Sequence, residues 1–572
     1  MKSFTELCKN IGKTSSDFSK IKLAILGDSA TQFLGQGIKG LGIDSKMEFE
    51  VYESDFGQID QEIFNPSSGL FNFDPDFVLI FHDSNKLLQK FMDTPLDQRQ
   101  QFGESHIQNL SKLYSTLKEK LSAKLLYFNL AEFRDGVFGN YSNKVEGSFL
   151  YQLRKINFNL MNLSSELKDL FIVDICSVCN QMGRDHFFNA RLYYQASLTI
   201  SLDGLPFVAQ QTLDIIKALK GQIKKCLIFD LDNTLWGGVI GDDGLERIEI
   251  GNLGSGKAHS ELQKWGKQLK ERGIILAVCS KNDEETAKEP FLKHPEMVLK
   301  LEDFAIFVAN WNNKADNIRD IQKVLNIGFD SMVFIDDNPY ERNLVKESLP
   351  EVCVPDLPED PVDYIDFLRN ENLFETSSHS GNDQKRTEQY RAEAERIVYQ
   401  KSFSDPGEYL SSLKMQAEIR EFDNFSIPRV AQLAERSNQF NLRTIRYSEA
   451  EINSISDSQD QIGLTISLKD KYGEYGIIAI IILNKKTDHY FIDTWIMSCR
   501  VLKRGVEWFI LNELSSLAKS KGIKEIRGEY IPTKKNKIVK DHYQSLGFIE
   551  KESQWILNLD KYQEFDNYIS KA

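Results

Sequence analysis

Short apolar runs alternate with amphipathic stretches from the start of the chain. KLAILG (22–27), FVLIF (77–81), AKLLYF (123–128) and LFIVD (170–174) are brief and bounded by turn residues, which predicts strands. Between them, stretches such as 104–121 repeat apolar residues at helical spacing. A second series starts at Lys224 with KCLIFD (225–230), GIILAVCS (273–280), AIFVAN (305–310) and SMVFIDD (331–337). Strands that alternate with helices predict α/β layers on parallel sheets. The chain then turns polar in SSHSGNDQKRTEQYRAEAER (377–396), which reads as a linker running into an exposed helix. MQAEIREF (415–422), IGLTISLKD (462–470), GIIAIIILN (476–484) and YFIDTWIM (490–497) follow as strands, then a helix near 505–521 and a last strand and helix. The expectation is a multidomain α/β protein with domains at about 1–220, 221–370 and 401–572, joined by a linker and helix over 371–400.

Composition narrows the classes. The 572 residues are 41% hydrophobic and 27% charged, with a net charge of −14. This is an ordinary globular balance, and its sign argues against bulk nucleic-acid binding. Seven cysteines (Cys8, Cys176, Cys179, Cys226, Cys279, Cys353, Cys499) are scattered, and the single C-x-x-C, Cys176–Cys179, lacks the second pair of a zinc site. Reduced thiols and a cytoplasmic location are expected. The first twenty residues contain no apolar core of a signal peptide, and the longest apolar run, 476–483, is too short to cross a bilayer. No membrane association is expected.

Charged and hydroxyl residues at strand ends change the picture most. LIFDLDNTLWGG places Asp230 at the end of one strand, with Asp232 and Thr234 just beyond it. The next strand ends in Ser280, the third is followed by Lys314, and the fourth ends in Asp336 and Asp337. Ligands of open α/β sheets bind at this edge. Carboxylate oxygens suit Mg²⁺, which is held by one or two carboxylates together with phosphate. Each short motif alone is a common turn or helix cap. All four, in order at successive strand ends, predict a divalent-metal phosphate site. Only a short flap, one helix and one strand fit between Thr234 and Ser280, and only a helix and a strand between Ser280 and Lys314. No cap domain is expected, which suits a large or partly covered substrate.

These motifs resemble the haloacid dehalogenase superfamily, whose first motif is D-x-D-x-T/V. The resemblance implies that Asp230 is the nucleophile and Asp232 the general acid and base. It also implies that Ser280, with Thr234 and Asn282, holds the phosphoryl group while Lys314 neutralises it. Asp337, Asp336, Asp230 and the backbone carbonyl of Asp232 would hold the metal. Gly27-Asp28-Ser29 resembles the opening block of the SGNH hydrolases, but no Asp stands three residues before His186 and HDSN (His82–Asn85) is a poor oxyanion block. Ser29 is expected to be non-catalytic. WIMSCRVLKRG resembles the pyrophosphate loop of the GNAT acyltransferases, R/Q-x-x-G-x-G/A, with Arg500 and Gly505 in place and Lys503 at the central glycine.

Taken together, IFDLDNTLWGGVIGDDG, AVCSKND, VFIDDNPYER, RSNQFNLRTIRYS, DKYGEYGII and IDTWIMSCRVLKRG resemble the FkbH-like proteins, subfamily IIIC of the superfamily. The expected fold is a flavodoxin/SGNH-like α/β domain, a capless haloacid dehalogenase-like Rossmannoid domain and a GNAT-like α+β domain. The resemblance implies that a glyceryl unit from 1,3-bisphosphoglycerate is dephosphorylated and loaded on the phosphopantetheine arm of an acyl carrier protein. Residues 500–540 hold eleven Lys/Arg against four Glu, a net +7 that would suit an acidic carrier at Arg500, Lys503, Arg504 and Gly505. A glyceryl unit held before transfer calls for a thiol, Cys279 or Cys499, with the basic turn favouring Cys499. Two other readings stand beside this one: a plain phosphomonoesterase with scaffold domains, and a non-enzymatic carrier-binding assembly module.

Overall fold

The computed structural model describes residues 2–379, 390, 396, 399, 403, 405–437, 440–498, 501–533 and 535–572. The chain divides into two compact units, Met1–Lys220 and Gly221–Ala572.

The first unit is built on a parallel sheet of β1 (Ser19–Gly27), β2 (Met47–Glu53), β3 (Phe77–Phe81), β4 (Lys124–Phe128) and β5 (Leu170–Val173), in the order β2-β1-β3-β4-β5. Alternate side chains of β1 and β3 enter two apolar layers. Leu23, Ile25 and Leu79 pack on one face, and Ala24, Leu26 and Ile80 on the other. Burial on both faces explains why these strands read as continuous apolar runs. β2 is not among the predicted strands: it lies at the sheet edge and lacks a continuous apolar run, although Met47, Phe49 and Val51 alternate with Glu48 and Glu50 as in a half-buried strand.

The second unit contains two sheets. The first is parallel, with β6 (Cys226–Phe229), β7 (Ile275–Ser280), β8 (Ile306–Ala309) and β9 (Met332–Ile335) in the order β8-β7-β6-β9. A helix Gly254–Glu271 precedes β7, and Glu284–Lys293 links β7 to β8. Neither connection adds a cap, as the spacing predicts.

The other sheet is mostly antiparallel. It comprises β10 (Met415–Glu421), β11 (Gln461–Asp470), β12 (Gly473–Lys485), β13 (His489–Met497), β14 (Glu525–Gly528), β15 (Ile549–Lys551), β16 (Gln554–Asn558) and β17 (Ile569–Lys571). Residues 478–483 of β12 are buried throughout, because β12 lies between β11 and β13 and both of its faces are covered. The last three strands have three to five residues each, too short for periodicity to separate them from loop. Among the described residues, no helix is long and apolar enough to cross a membrane.

Candidate active site

Because β6 to β9 are parallel, their carboxyl ends meet at one edge. Asp230 follows β6, Ser280 ends β7, Lys314 opens the helix Lys314–Leu325 after β8, and Asp336 and Asp337 follow β9. Asn313 caps that helix by accepting from Ala315 N at 2.7 Å, which sets the direction in which Lys314 enters. The Lys314 ammonium lies 2.9 Å from Asp230 Oδ1 and 2.6 Å from Asp336 Oδ2. It is almost fully buried. Burial alone would lower its pKa, but the two carboxylates outweigh that and keep it charged.

Asp230, Asp336 and Asp337 each offer a carboxylate oxygen, all within 4.8 Å of one another. Burial, then the charge of Asp230, pushes the Asp336 carboxyl well up; the same causes raise Asp337 to about 6. Three carboxylates share one lysine, so the cluster is short of positive charge. A hard divalent cation supplies that charge, and the donor set fits one. The backbone fixes the cluster further. Arg342 Nη1 donates to the carbonyls of Asp336 (2.8 Å) and Asp337 (2.6 Å), Asn338 N donates to Asp336 Oδ1 at 2.8 Å, and Asp337 N donates to Thr234 Oγ1 at 3.1 Å.

Asp232 points elsewhere. Its Oδ1 accepts from Trp236 Nε1 and Ile240 N, both at 3.0 Å, and its Oδ2 accepts from Asn282 Nδ2 at 3.0 Å. Burial raises its pKa in spite of these donors. Its carboxylate therefore stands apart from the three-carboxylate cluster. Asn233 takes a left-handed conformation (φ 55°), and its side chain accepts from Gly238 N at 2.9 Å, so the chain folds back into the flap. Buried His259 lies with Nδ1 2.8 Å from the Thr234 carbonyl and pins the same turn. Sequence reasoning missed Trp236, His259 and Arg342. Trp236 lies inside the recognised motif, but nothing in one sequence shows that its indole reaches back four residues.

The remaining predicted residues separate. Ser280 and Asn282 are buried at the site edge. Cys279 faces the opposite layer with Ile228, Ala277 and Ala315, where its Sγ donates to the Lys314 carbonyl at 3.7 Å and burial raises its pKa far above the ordinary thiol range. A thiolate is disfavoured there. Cys499 and Arg500 lie outside the described residues. Lys503 is exposed in a left-handed conformation (φ 63°), the shape that makes glycine the usual choice, and Gly505 (φ 79°) caps the helix Val506–Ser520. Arg504 corrects the expected basic face. It is buried over the Tyr475 ring, with Nη1 3.8 Å from Asp470 Oδ2. Ser29 is buried between carboxylates, with Oγ 3.3 Å from Asp28 Oδ1 and 3.2 Å from Asp83 Oδ2. Among the described residues it has no histidine partner.

Comparison with known proteins bears on this geometry. Residues 22–217 match the family model described as FkbH, N-terminal domain. The crystal structure of the N-terminal part of protein BF1531 from Bacteroides fragilis, containing a phosphatase domain complexed with Mg, is 47% identical, with a TM-score of 0.64; the match covers 66% of this chain and 100% of that one. The ribosomal-protein-S18-alanine N-acetyltransferase from Escherichia coli is 15% identical over 26% of this chain and 97% of its own, with a TM-score of 0.21. Curated proteins give no match. Because nearly half of the aligned residues are identical along the whole of the Bacteroides structure, the chain belongs to the FkbH-like family of haloacid dehalogenase-type phosphatases.

Proposed function

We propose that this protein is a Mg²⁺-dependent phosphatase and glyceryl transferase that removes phosphate from a glyceryl phosphate and loads the glyceryl unit on an acyl carrier protein. The Lys314 bridge between Asp230 and Asp336, with Asp337 in the same cluster, carries the phosphatase half of this reading. Lys314 pairs with Asp230 and aims it, and Asp230 attacks phosphorus to form an aspartyl-phosphate. Asp232 protonates the leaving oxygen and later takes a proton from water. Ser280 and Asn282 hold the phosphoryl oxygens, and Thr234 orients Asp337. Asp230, Asp336, Asp337 and the Asp232 carbonyl hold Mg²⁺, in keeping with the Mg of the Bacteroides phosphatase domain. Bound Mg²⁺ offsets charge shared by these carboxylates and the phosphoryl group.

The transferase half rests on the family resemblance and on the excess of basic residues over 500–540. With Cys279 buried away from the site, Cys499 is the thiol candidate for holding the glyceryl unit. Arg504 pairs inward, so Lys503 is the exposed charge of the basic turn among the described residues.

Incubation with 1,3-bisphosphoglycerate, Mg²⁺ and candidate carrier proteins, followed by intact mass measurement of each carrier, tests the proposal. A glyceryl adduct on a carrier is expected. Phosphate release without an adduct on any carrier would favour the plain phosphomonoesterase, and neither product with carrier binding alone would favour an assembly module.

A further inference from the structure

Asp232 is held unequally on its two oxygens. Oδ1 accepts two hydrogen bonds, from Trp236 Nε1 and from Ile240 N, both at 3.0 Å. Oδ2 accepts one, from Asn282 Nδ2 at 3.0 Å. Each carboxylate oxygen has two lone-pair sites, so Oδ1 is filled and Oδ2 keeps one site open. Neither partner of Oδ1 can turn round to accept, because an indole N–H and a backbone N–H are donors only. A proton placed on Oδ1 would break one of those bonds, whereas a proton on Oδ2 breaks none of the three.

The local fold builds this grip. Thr234 N and Leu235 N donate to the Leu231 carbonyl at 3.1 and 2.8 Å, and the left-handed Asn233 lets the chain close that tight turn. The residue four past Asp232 thereby returns beside it, and the two form a short parallel bridge. The Trp236 ring is fully buried in one apolar layer with Leu231, Leu235 and Ile240, and its centroid lies 5.6 Å from that of Phe291. A ring packed this closely keeps one orientation, so its N–H already faces Oδ1 before any reaction begins. Phenylalanine would fill much of the same layer but offer no donor. Packing alone therefore does not account for tryptophan here.

We propose that Trp236 is a positioning residue for proton transfer: it holds Asp232 by Oδ1, so that Oδ2 carries the proton. As Asp230 bonds to phosphorus and the bond to the leaving oxygen breaks, that oxygen takes the proton from Oδ2 and departs protonated. As water then bonds to phosphorus, its proton passes to the same Oδ2 and the Asp230 carboxylate is released. The inference rests on the reading of Asp232 as the general acid and base.

Two phosphomonoesters of similar shape, p-nitrophenyl phosphate and p-nitrobenzyl phosphate, test this on the full chain with Mg²⁺. A nitrophenolate leaves without a proton and a benzyl alkoxide needs one, while kcat/KM covers only the steps up to aspartyl-phosphate formation. Trp236→Phe should lower kcat/KM about tenfold or more on the benzyl ester and less than about threefold on the nitrophenyl ester. Asp232→Asn should show the same imbalance more strongly. Equal losses on both esters in Trp236→Phe, beside unequal losses in Asp232→Asn, would overturn the role of Trp236 and leave that of Asp232 standing. Equal losses in both variants would overturn Asp232 as the acid, and the inference with it. If Trp236→Phe loses its cooperative melt, benzothienylalanine in place of Trp236, with sulfur replacing the N–H, keeps the ring shape and decides by the same ratio. Spectra of the chain with ¹⁵N-labelled indoles read the contact without turnover. The resonance that the Trp236 variant lacks should move in Asp232→Asn, and an unmoved one would overturn the contact.

Discussion

Asp230 and Lys314 depend on each other. The lysine is buried, so its charge needs the carboxylates, and its ion pair holds the Asp230 carboxylate in place beside Asp336. Asp230→Asn keeps the shape and removes the oxygen proposed to attack phosphorus. Phosphate release should fall by at least about 10³-fold with little change in melting temperature, because a covalent nucleophile has no substitute. Turnover near the wild-type rate in the purified variant would end the assignment of Asp230. Asp337 allows a prediction about pH. Its folded pKa lies near 6, above the ordinary carboxylate value, so the metal-free fold binds a proton more readily than the unfolded chain. The stability from that proton is fully present below the unfolded value and is lost as pH rises through about 6. Metal-free protein should therefore melt at a higher temperature at pH 5 than at pH 7, and Mg²⁺ should reverse the order by favouring the ionised carboxylates. Equal or higher metal-free stability at pH 7 would count against this account of Asp337.

The turn from β11 into β12 buries a compact charge cluster. Asp470 Oδ2 lies 3.1 Å from Arg396 Nη2 and accepts from Tyr475 OH at 3.1 Å, and Arg504 approaches the same oxygen. Tyr475 lies under both guanidiniums. Asp470→Ala should destabilise this half of the second unit by about 3–5 kcal/mol, because it removes the carboxylate that buried arginines face. Denaturant unfolding followed by tryptophan fluorescence would measure it, and a loss under about 1 kcal/mol would show that the cluster is well compensated. DKYGEY suggests nothing of this kind. The arginines stand 74 residues before Asp470 and 34 after it, and one sequence carries no sign of who meets whom. By contrast, the strands that set up the phosphate edge were readable, since buried parallel strands leave unbroken apolar runs that end in polar residues. The order Asp230, Ser280, Lys314, Asp336 could be read for the same reason: strand ends are local features. What could not be read was the direction of individual side chains. Arg504 counted as surface charge and proved buried, and Trp236 counted as motif background and proved to hold Asp232.

Two compact units, with a single carboxylate cluster suited to a metal among the described residues, make the expected response to Mg²⁺ unequal. A ligand that binds only the folded state at about 100 times its dissociation constant stabilises by roughly 2.7 kcal/mol. Scanning calorimetry with Mg²⁺ and then with EDTA should shift the unfolding of Gly221–Ala572 and leave that of Met1–Lys220 in place. EDTA should also abolish phosphate release. Equal shifts in both units would place a second metal site in the first.

The parallel sheet also dictates when the site can exist. β6 pairs directly with β9, Cys226 opposite Met332, although more than one hundred residues separate them. Asp230 therefore emerges from the ribosome long before Asp336 and Asp337, and it waits through two strands and their helices with no lysine and no partner carboxylates. Closing so long a loop is slow, because its entropy is lost before the strand pairing is gained. A chain stopped at Leu325 already has Asp230 and Lys314, yet it should hold no metal and release no phosphate. During synthesis and refolding alike, helix content should recover first and catalysis last.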